Sequence, residues 1–301
     1  MYPYKHQSPS KETPHRNSAD RFTRIPRRAA VLGMLTPLLG AGVPYAVTRD
    51  EKVAGIEESA SWVDSSSASS APALDSSEED DQQKAALPES INPIEVAHPW
   101  DEPQTALEGA GNYIAWTVDD GKSPDVVRAY ADFAARTGTR LTFFINGSYN
   151  AFEPNLDVLK PLVESGQIQI GNHTWSHAAL TTLDDAGIAE ELTKNDEEIQ
   201  RLFGVSSKPY YRPPYGYYDS RVLEAAAGAG FDRAVLWYGS LADSSPIPAE
   251  EIYAYSEKYA NSQTILIGHL NYPGVIEVLG KIKMLLDERN LTPVTLRDYY
   301  G

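Results

Sequence analysis

The sequence predicts an α/β domain, a parallel sheet with helices outside it, curled into a small or incomplete barrel. Three observations carry that expectation. From Asn112 onward, short apolar runs of strand length alternate with longer stretches of helical periodicity. About seven such β/α units fall within roughly 200 residues, which suggests a small or incomplete barrel. Helix-start and helix-stop residues fall at the junctions, among them Ser123-Pro124, Gly166 and Gly204.

The first strand is Tyr113–Val118, an unbroken apolar run. Ser123 as N-cap and Pro124 at the first helical position open a helix to about Arg136. Arg140–Ile145 is the second strand, followed by a helix over Asn155–Ser165 that Gly166 ends. Gln167–Ile170 is the third strand, and Asp184–Phe203 a long amphipathic helix closed by Gly204. Then come strand Pro209–Arg212, helix Ser220–Ala229, strand Arg233–Leu236 and helix Ala249–Tyr259. Strand Thr264–Gly268, helix Val275–Arg289 and strand Pro293–Thr295 finish the pattern.

Ahead of this domain the chain has a different character. Residues 1–49 read as a signal peptide or membrane-anchor region: Arg24, Arg27 and Arg28 precede the apolar run Ala29–Val47. Pro37, Gly40, Gly42 and Pro44 interrupt that run, which favours a signal peptide; about 20 residues can span a bilayer, so anchoring through residues 29–47 is the alternative. The positive flank lies N-terminal, so the remainder is expected to be exported, to the cell envelope or the extracellular space. Residues 50–104 read as a disordered acidic linker and extended lead-in. Stretches such as Ser65–Ser70 and Ser76–Asp81 bury too little apolar surface to offset ordering entropy. Residues 105–301 form the folded domain.

Composition removes several functions. A net charge of -16 argues against a nucleic-acid partner, which would need a basic patch. With no cysteine there is no disulfide and no thiolate nucleophile or ligand, so a metal must be held by histidine and carboxylate.

Of six histidines, His6, His15 and His98 precede the domain; His173, His177 and His269 lie within it, each just past a strand end. Asp119-Asp120 follow the first strand, Arg212 the fourth and Asp243 the fifth. In a parallel barrel all strand C-termini open on one face, the face that carries active sites. His173 and His177 are four apart, so a helical turn between them would aim both imidazoles the same way. With one carboxylate they make a set suited to zinc in a hydrolase or ferrous iron in an oxygenase. Neighbouring carboxylates can divide labour, one ligating and one acting as base, with Arg212 holding the base. Each feature also has a plain reading: paired surface histidines, solvated aspartates, a surface ion pair at Arg212.

Taken in order, these segments resemble the five motifs of the polysaccharide deacetylases, carbohydrate esterase family four. They are Thr117–Gly121 (TVDDG), His173–His177 (HTWSH), Arg212–Tyr215 (RPPY), Trp237–Asp243 and Ile267–His269 (IGH). The resemblance spans about residues 110 to 298 and implies a distorted, incomplete (β/α) barrel. It implies Asp119 as general base; Asp120, His173 and His177 as ligands of a divalent metal ion, zinc first; and Arg212 holding Asp119. It also implies the Tyr215 backbone N–H as an oxyanion donor and His269 as general acid, oriented by Asp243. The implied activity is removal of N-acetyl groups from an envelope or extracellular glycan, peptidoglycan or chitin-like. An acetylated glycan is then the partner, and no protein partner is inferred.

The chain departs from the family pattern at Ala178 (usually proline), Ser240 and Ser244 in the fourth motif, Ile267, and Leu270-Asn271 after the last histidine. Rival readings are an O-acetyl (xylan) esterase on the same fold, a catalytically dead glycan-binding module, and a ferrous oxygenase. The last has no use for a base–arginine pair and a separate acid histidine.

Overall fold

A computed structural model describes Trp100 and residues 102–301; the signal or anchor reading and nearly all of the linker reading lie outside the described residues. The expected architecture is present. Strand β1 (Tyr113–Asp120) is central, with β2 (Leu141–Ile145), β3 (Ile168–Asn172), β4 (Tyr210–Tyr211) and β5 (Arg233–Ala234) on one side. On the other side lie β7 (Thr264–His269) and β6 (Gly239–Ser240). All these pairings are parallel, and β8 (Thr292–Pro293) lies beside the start of β1. The order β5-β4-β3-β2-β1-β7-β6 leaves β5 and β6 as the two ends, so the barrel is open between them.

The helices are α1 (Pro124–Thr137), α2 (Leu156–Glu164), α3 (Asp185–Phe203), α4 (Ser220–Gly228), α5 (Ala249–Tyr259), α6 (Leu279–Glu288) and α7 (Leu296–Tyr300). Their ends follow the capping chemistry. The Ser123 side chain accepts from Val126 N–H, Asp184 from Gly187 N–H and Asp219 from Val222 N–H. Gly138 and Gly204 close α1 and α3 in the left-handed conformation.

Strand alternation sorts the core into two layers. From β1, Ile114, Trp116 and Val118 face the helices and join Val127, Tyr130 and Phe133 of α1. Ala115 faces inward and joins Phe144, Tyr210, Val235 and Ile265; Trp100, Leu107, Leu296, Tyr299 and Tyr300 fill the same cluster from the end where the strands begin. These apolar side chains close the inner layer at that end, and the titratable residues gather at the rim where the strands finish. Among the described residues, no helix is long and apolar enough to cross a membrane.

Several elements differ from the sequence expectation. Strand β6 was not anticipated, because two residues carry no periodicity. The helix expected over Val275–Arg289 is a 3-10 turn, Pro273–Glu277, followed by α6. The short helix α7, with its Thr295–Asp298 capping box, lay hidden in the last residues.

Candidate active site

The strand ends deliver every predicted site residue to one rim. Asp119 and Asp120 end β1, and Asp119 stands beside His269 in the β1–β7 register. His173 follows β3 and Arg212 follows β4. Asp243 follows β6, a correction to its expected place after the fifth strand: the chain turns once more, through Gly239–Ser240, before reaching it.

Alternation alone would point Asp120 outward, with Val118. Its backbone instead takes a left-handed φ of 77°, which turns the carboxylate inward, and Gly121 follows at φ 121°. A Cβ on Gly121 would stand 2.2 Å from the Phe152 ring, so this turn demands glycine.

The expected helical turn between the two histidines is absent. Thr174 and His177 both adopt left-handed φ, 68° and 62°, and the loop is pinned by side chains. His177 N–H donates to Thr174 Oγ1, Trp175 N–H to the Glu191 carbonyl, and Ser176 N–H and Oγ–H to the Glu191 carboxylate. The two imidazoles still meet, with ring centroids 4.9 Å apart. A helix would have used backbone bonds for what contacts with α3 accomplish here.

His173 Nδ1 lies 2.8 Å from the Arg212 carbonyl oxygen, which can only accept. The proton therefore sits on Nδ1, and the Nε2 lone pair faces the carboxylates, 3.5 Å from Asp119 Oδ2 and 3.8 Å from Asp120 Oδ1. His177 Nε2 is 3.4 Å from the same Asp120 oxygen. Burial, reinforced by neighbouring His173, pushes the His177 pKa down to about 4, so this imidazole is neutral at pH 7. The contact is therefore not an ion pair. Asp120 Oδ1 is buried without a hydrogen-bond partner, and the three ligand atoms lie within 4.8 Å of one another. An orphaned carboxylate oxygen and two imidazole nitrogens that converge this closely form a donor set that suits a cation. At acid pH, where the imidazoles are protonated, burial works to raise the Asp120 pKa, but the charges of His173, His177 and His269 and the Asn271 amide hold it below the ordinary range.

Arg212 is fully buried, not the surface ion pair that its sequence setting also allowed. Its Nη1 donates to Asp119 Oδ1 at 2.6 Å and to Thr117 Oγ1, while Nε and Nη2 donate to the Val235 and Leu236 carbonyls. The guanidinium also lies over the Phe144 ring. Asp119 is therefore locked in place, with Oδ2 turned toward the histidines.

The second pair is His269 with Asp243. His269 Nδ1 stands 2.9 Å from Asp243 Oδ1, and His269 N–H donates to Asp243 Oδ2. Burial works to lower the His269 pKa, but the Asp243 hydrogen bond and charge outweigh it and leave the pKa raised. Tyr215 sits at φ 62°, its ring 4.6 Å from the His177 ring centroid and its side chain exposed.

Sequence reasoning missed a buried amide layer behind this rim. Asn146 Nδ2 donates to the His173 and Thr174 carbonyls, and Asn172 Oδ1 accepts from Thr174 N–H and Asn195 Nδ2. One signal was available: Asn195 interrupts the apolar stripe Ile188–Leu192–Ile199 of α3. Asn271, whose amide bonds Asp120, was read only as a departure from a motif.

Residues 107–234 match the family model described as polysaccharide deacetylase. Over that segment the chain is similar to the polysaccharide deacetylases. The match stops before Asp243 and His269, so that pair rests on its geometry.

Among curated relatives, a chitin deacetylase of Arthroderma benhamiae is 30% identical over 199 residues, covering 62% of this chain and 52% of the relative. A peptidoglycan-N-acetylglucosamine deacetylase of Bacillus cereus is 28% identical over 189 residues, covering 61% and 66%. The chain spans about half the length of the first relatives it matches, 45% and 52%. Among solved structures, a family 4 carbohydrate esterase pseudoenzyme from Bacillus anthracis shares the fold at a TM-score of 0.59 and 16% identity, covering 66% of this chain and 69% of that one.

Proposed function

We propose that the chain is a metal-dependent hydrolase that removes N-acetyl groups from an envelope or extracellular glycan, with peptidoglycan and chitin-like chains as first candidates. The observation that supports this most is the pinned carboxylate of Asp119 beside the acceptor cluster of Asp120, His173 and His177. A dead binding module has no need to bury an arginine to hold one carboxylate.

Asp120, His173 and His177 would hold the divalent ion, zinc being the first choice for this donor set. When bound, such an ion supplies Lewis acidity toward water and the acetyl carbonyl. Asp119 takes the proton of the attacking water at Oδ2 while Oδ1 stays with Arg212. The Tyr215 backbone N–H donates to the oxyanion that develops from the carbonyl. His269, with Nδ1 held by Asp243, delivers a proton from Nε2 to the leaving nitrogen.

Purified full-length chain, assayed on N-acetylated chito-oligosaccharide, peptidoglycan and acetylxylan, is expected to release acetate from one of the first two. Release from acetylxylan alone would assign the O-acetyl esterase reading, and release from none would leave a binding module. The protein should carry about one divalent ion per chain, lose activity on chelation, and lose the ion in the His173→Ala, His177→Ala double variant. Full activity without any ion would end this reading.

Export is part of the same proposal, supported by Arg24, Arg27 and Arg28 ahead of Ala29–Val47. Fractionation of the producing cell should place the domain outside the cytoplasm, and a cytoplasmic pool of full-length chain counts against it.

A further inference from the structure

We propose that Asn271 is a positioning residue that makes Asp120 a one-oxygen ligand, an inference that rests on the metal-site reading above. The Asn271 side-chain Nδ2 donates to Asp120 Oδ2 at 2.5 Å. Its own Oδ1 accepts the Lys122 backbone N–H at 3.3 Å, so the amide is oriented from both ends and its NH2 must face the carboxylate. Asn271 is itself buried, at 7% exposure. The chain leading to it is fixed where Leu270 N–H donates to the Asp119 carbonyl.

One Asp120 oxygen is thereby occupied, and the other, Oδ1, is the buried oxygen that has no partner and faces both histidines. The left-handed backbone at Asp120 sets where the side chain goes; it leaves the carboxylate group free to rotate about its last bond. Asn271 stops that rotation. An amide suits the task because it donates without bringing charge. A carboxylate here would repel Asp120, and an ammonium would compete with the cation for it. Residues that orient a ligand in this way typically contribute a factor of about 10–100 to metal affinity.

The test uses the metal-free full-length chain, titrated with Zn²⁺ by calorimetry and with Co²⁺ by visible absorption. Wild type is compared with Asn271→Leu, which keeps the volume but has no donor, and with Asn271→Ala. The expected result is wild-type binding near one ion per chain and a roughly 10–100-fold weaker Kd in both variants. The cobalt spectrum should change as Asp120 turns to offer two oxygens. Melting of each metal-free protein is recorded, and titrations are run where it is folded; a merely structural Asn271 would lower melting and leave the Kd and the cobalt spectrum unmoved. Tight wild-type binding with equal Kd and an unchanged spectrum in a folded variant would overturn the role of Asn271 and leave the metal site standing. A wild type that binds no ion would take both away.

Discussion

Asp119→Asn should lower deacetylation by on the order of 10²–10⁴-fold while the protein keeps its metal. The substitution preserves shape: an amide oxygen can still accept from Arg212 Nη1, which now sits 2.6 Å from Asp119 Oδ1. It removes the negative oxygen that faces the His173 side of the site, and with it the acceptor for the proton of the attacking water. The three ligands are untouched, so metal content measured on the purified variant should match wild type. Stability will fall as well, because Arg212 is completely buried and loses its only carboxylate among the described residues. Leaving one partner of a buried ion pair alone costs about 3–5 kcal/mol. The Thr117 hydroxyl and the Val235 and Leu236 carbonyls still accept from the guanidinium, so the loss should lie toward the low end of that range. Rates are therefore to be compared below the melting transition of the variant. An Asp119→Asn protein that is folded, metal-loaded and fully active would remove Asp119 from the mechanism.

His269→Ala should be nearly as damaging on an N-acetyl glycan, on the order of 10²-fold or more, and much less so on an activated aryl acetate. The amine leaves only if it is protonated, whereas an aryloxide leaves without help. Equal losses on both substrates would make His269 a binding or structural residue. The pH profile separates the two cases further. His269 must carry its proton to act as acid, so activity falls as pH rises through its pKa. Burial acts to lower that pKa, but the hydrogen bond and charge of Asp243 hold it above the ordinary histidine value, so the alkaline limb lies at correspondingly higher pH. Asp243→Asn leaves burial unopposed by that charge and should move the alkaline limb to lower pH. Activity at the acid end of the profile should be the less affected. A limb that does not move on this substitution would show that another group limits the rate at high pH.

Much of the domain was determined by sequence alone. Strand and helix order follow from local periodicity, and the ends of α1, α3 and α4 follow from Ser123, Asp184, Asp219 and the glycines after α1 and α3. These signals act within a few residues, so a reader of the sequence has all the information the backbone has. The residue types at the strand ends were legible for the same reason: a parallel barrel sends every strand terminus to one face whatever the details of its curvature. What only the tertiary structure decided is how those residues are aimed. The inward turn of Asp120 and the pinned loop of His173 and His177 use left-handed backbone, which costs any residue with a Cβ and β-branched Thr174 the most. They persist because distant groups hold them. Asn271 bonds Asp120 across 151 positions of sequence, Arg212 holds Asp119 across 93, and Glu191 on α3 clamps Ser176. The burial of Arg212 is likewise invisible until Phe144 and the 235–236 carbonyls close around it. Periodicity reports which face a residue occupies; the direction of a carboxylate or an imidazole within that face is set by hydrogen bonds that the fold must first bring together.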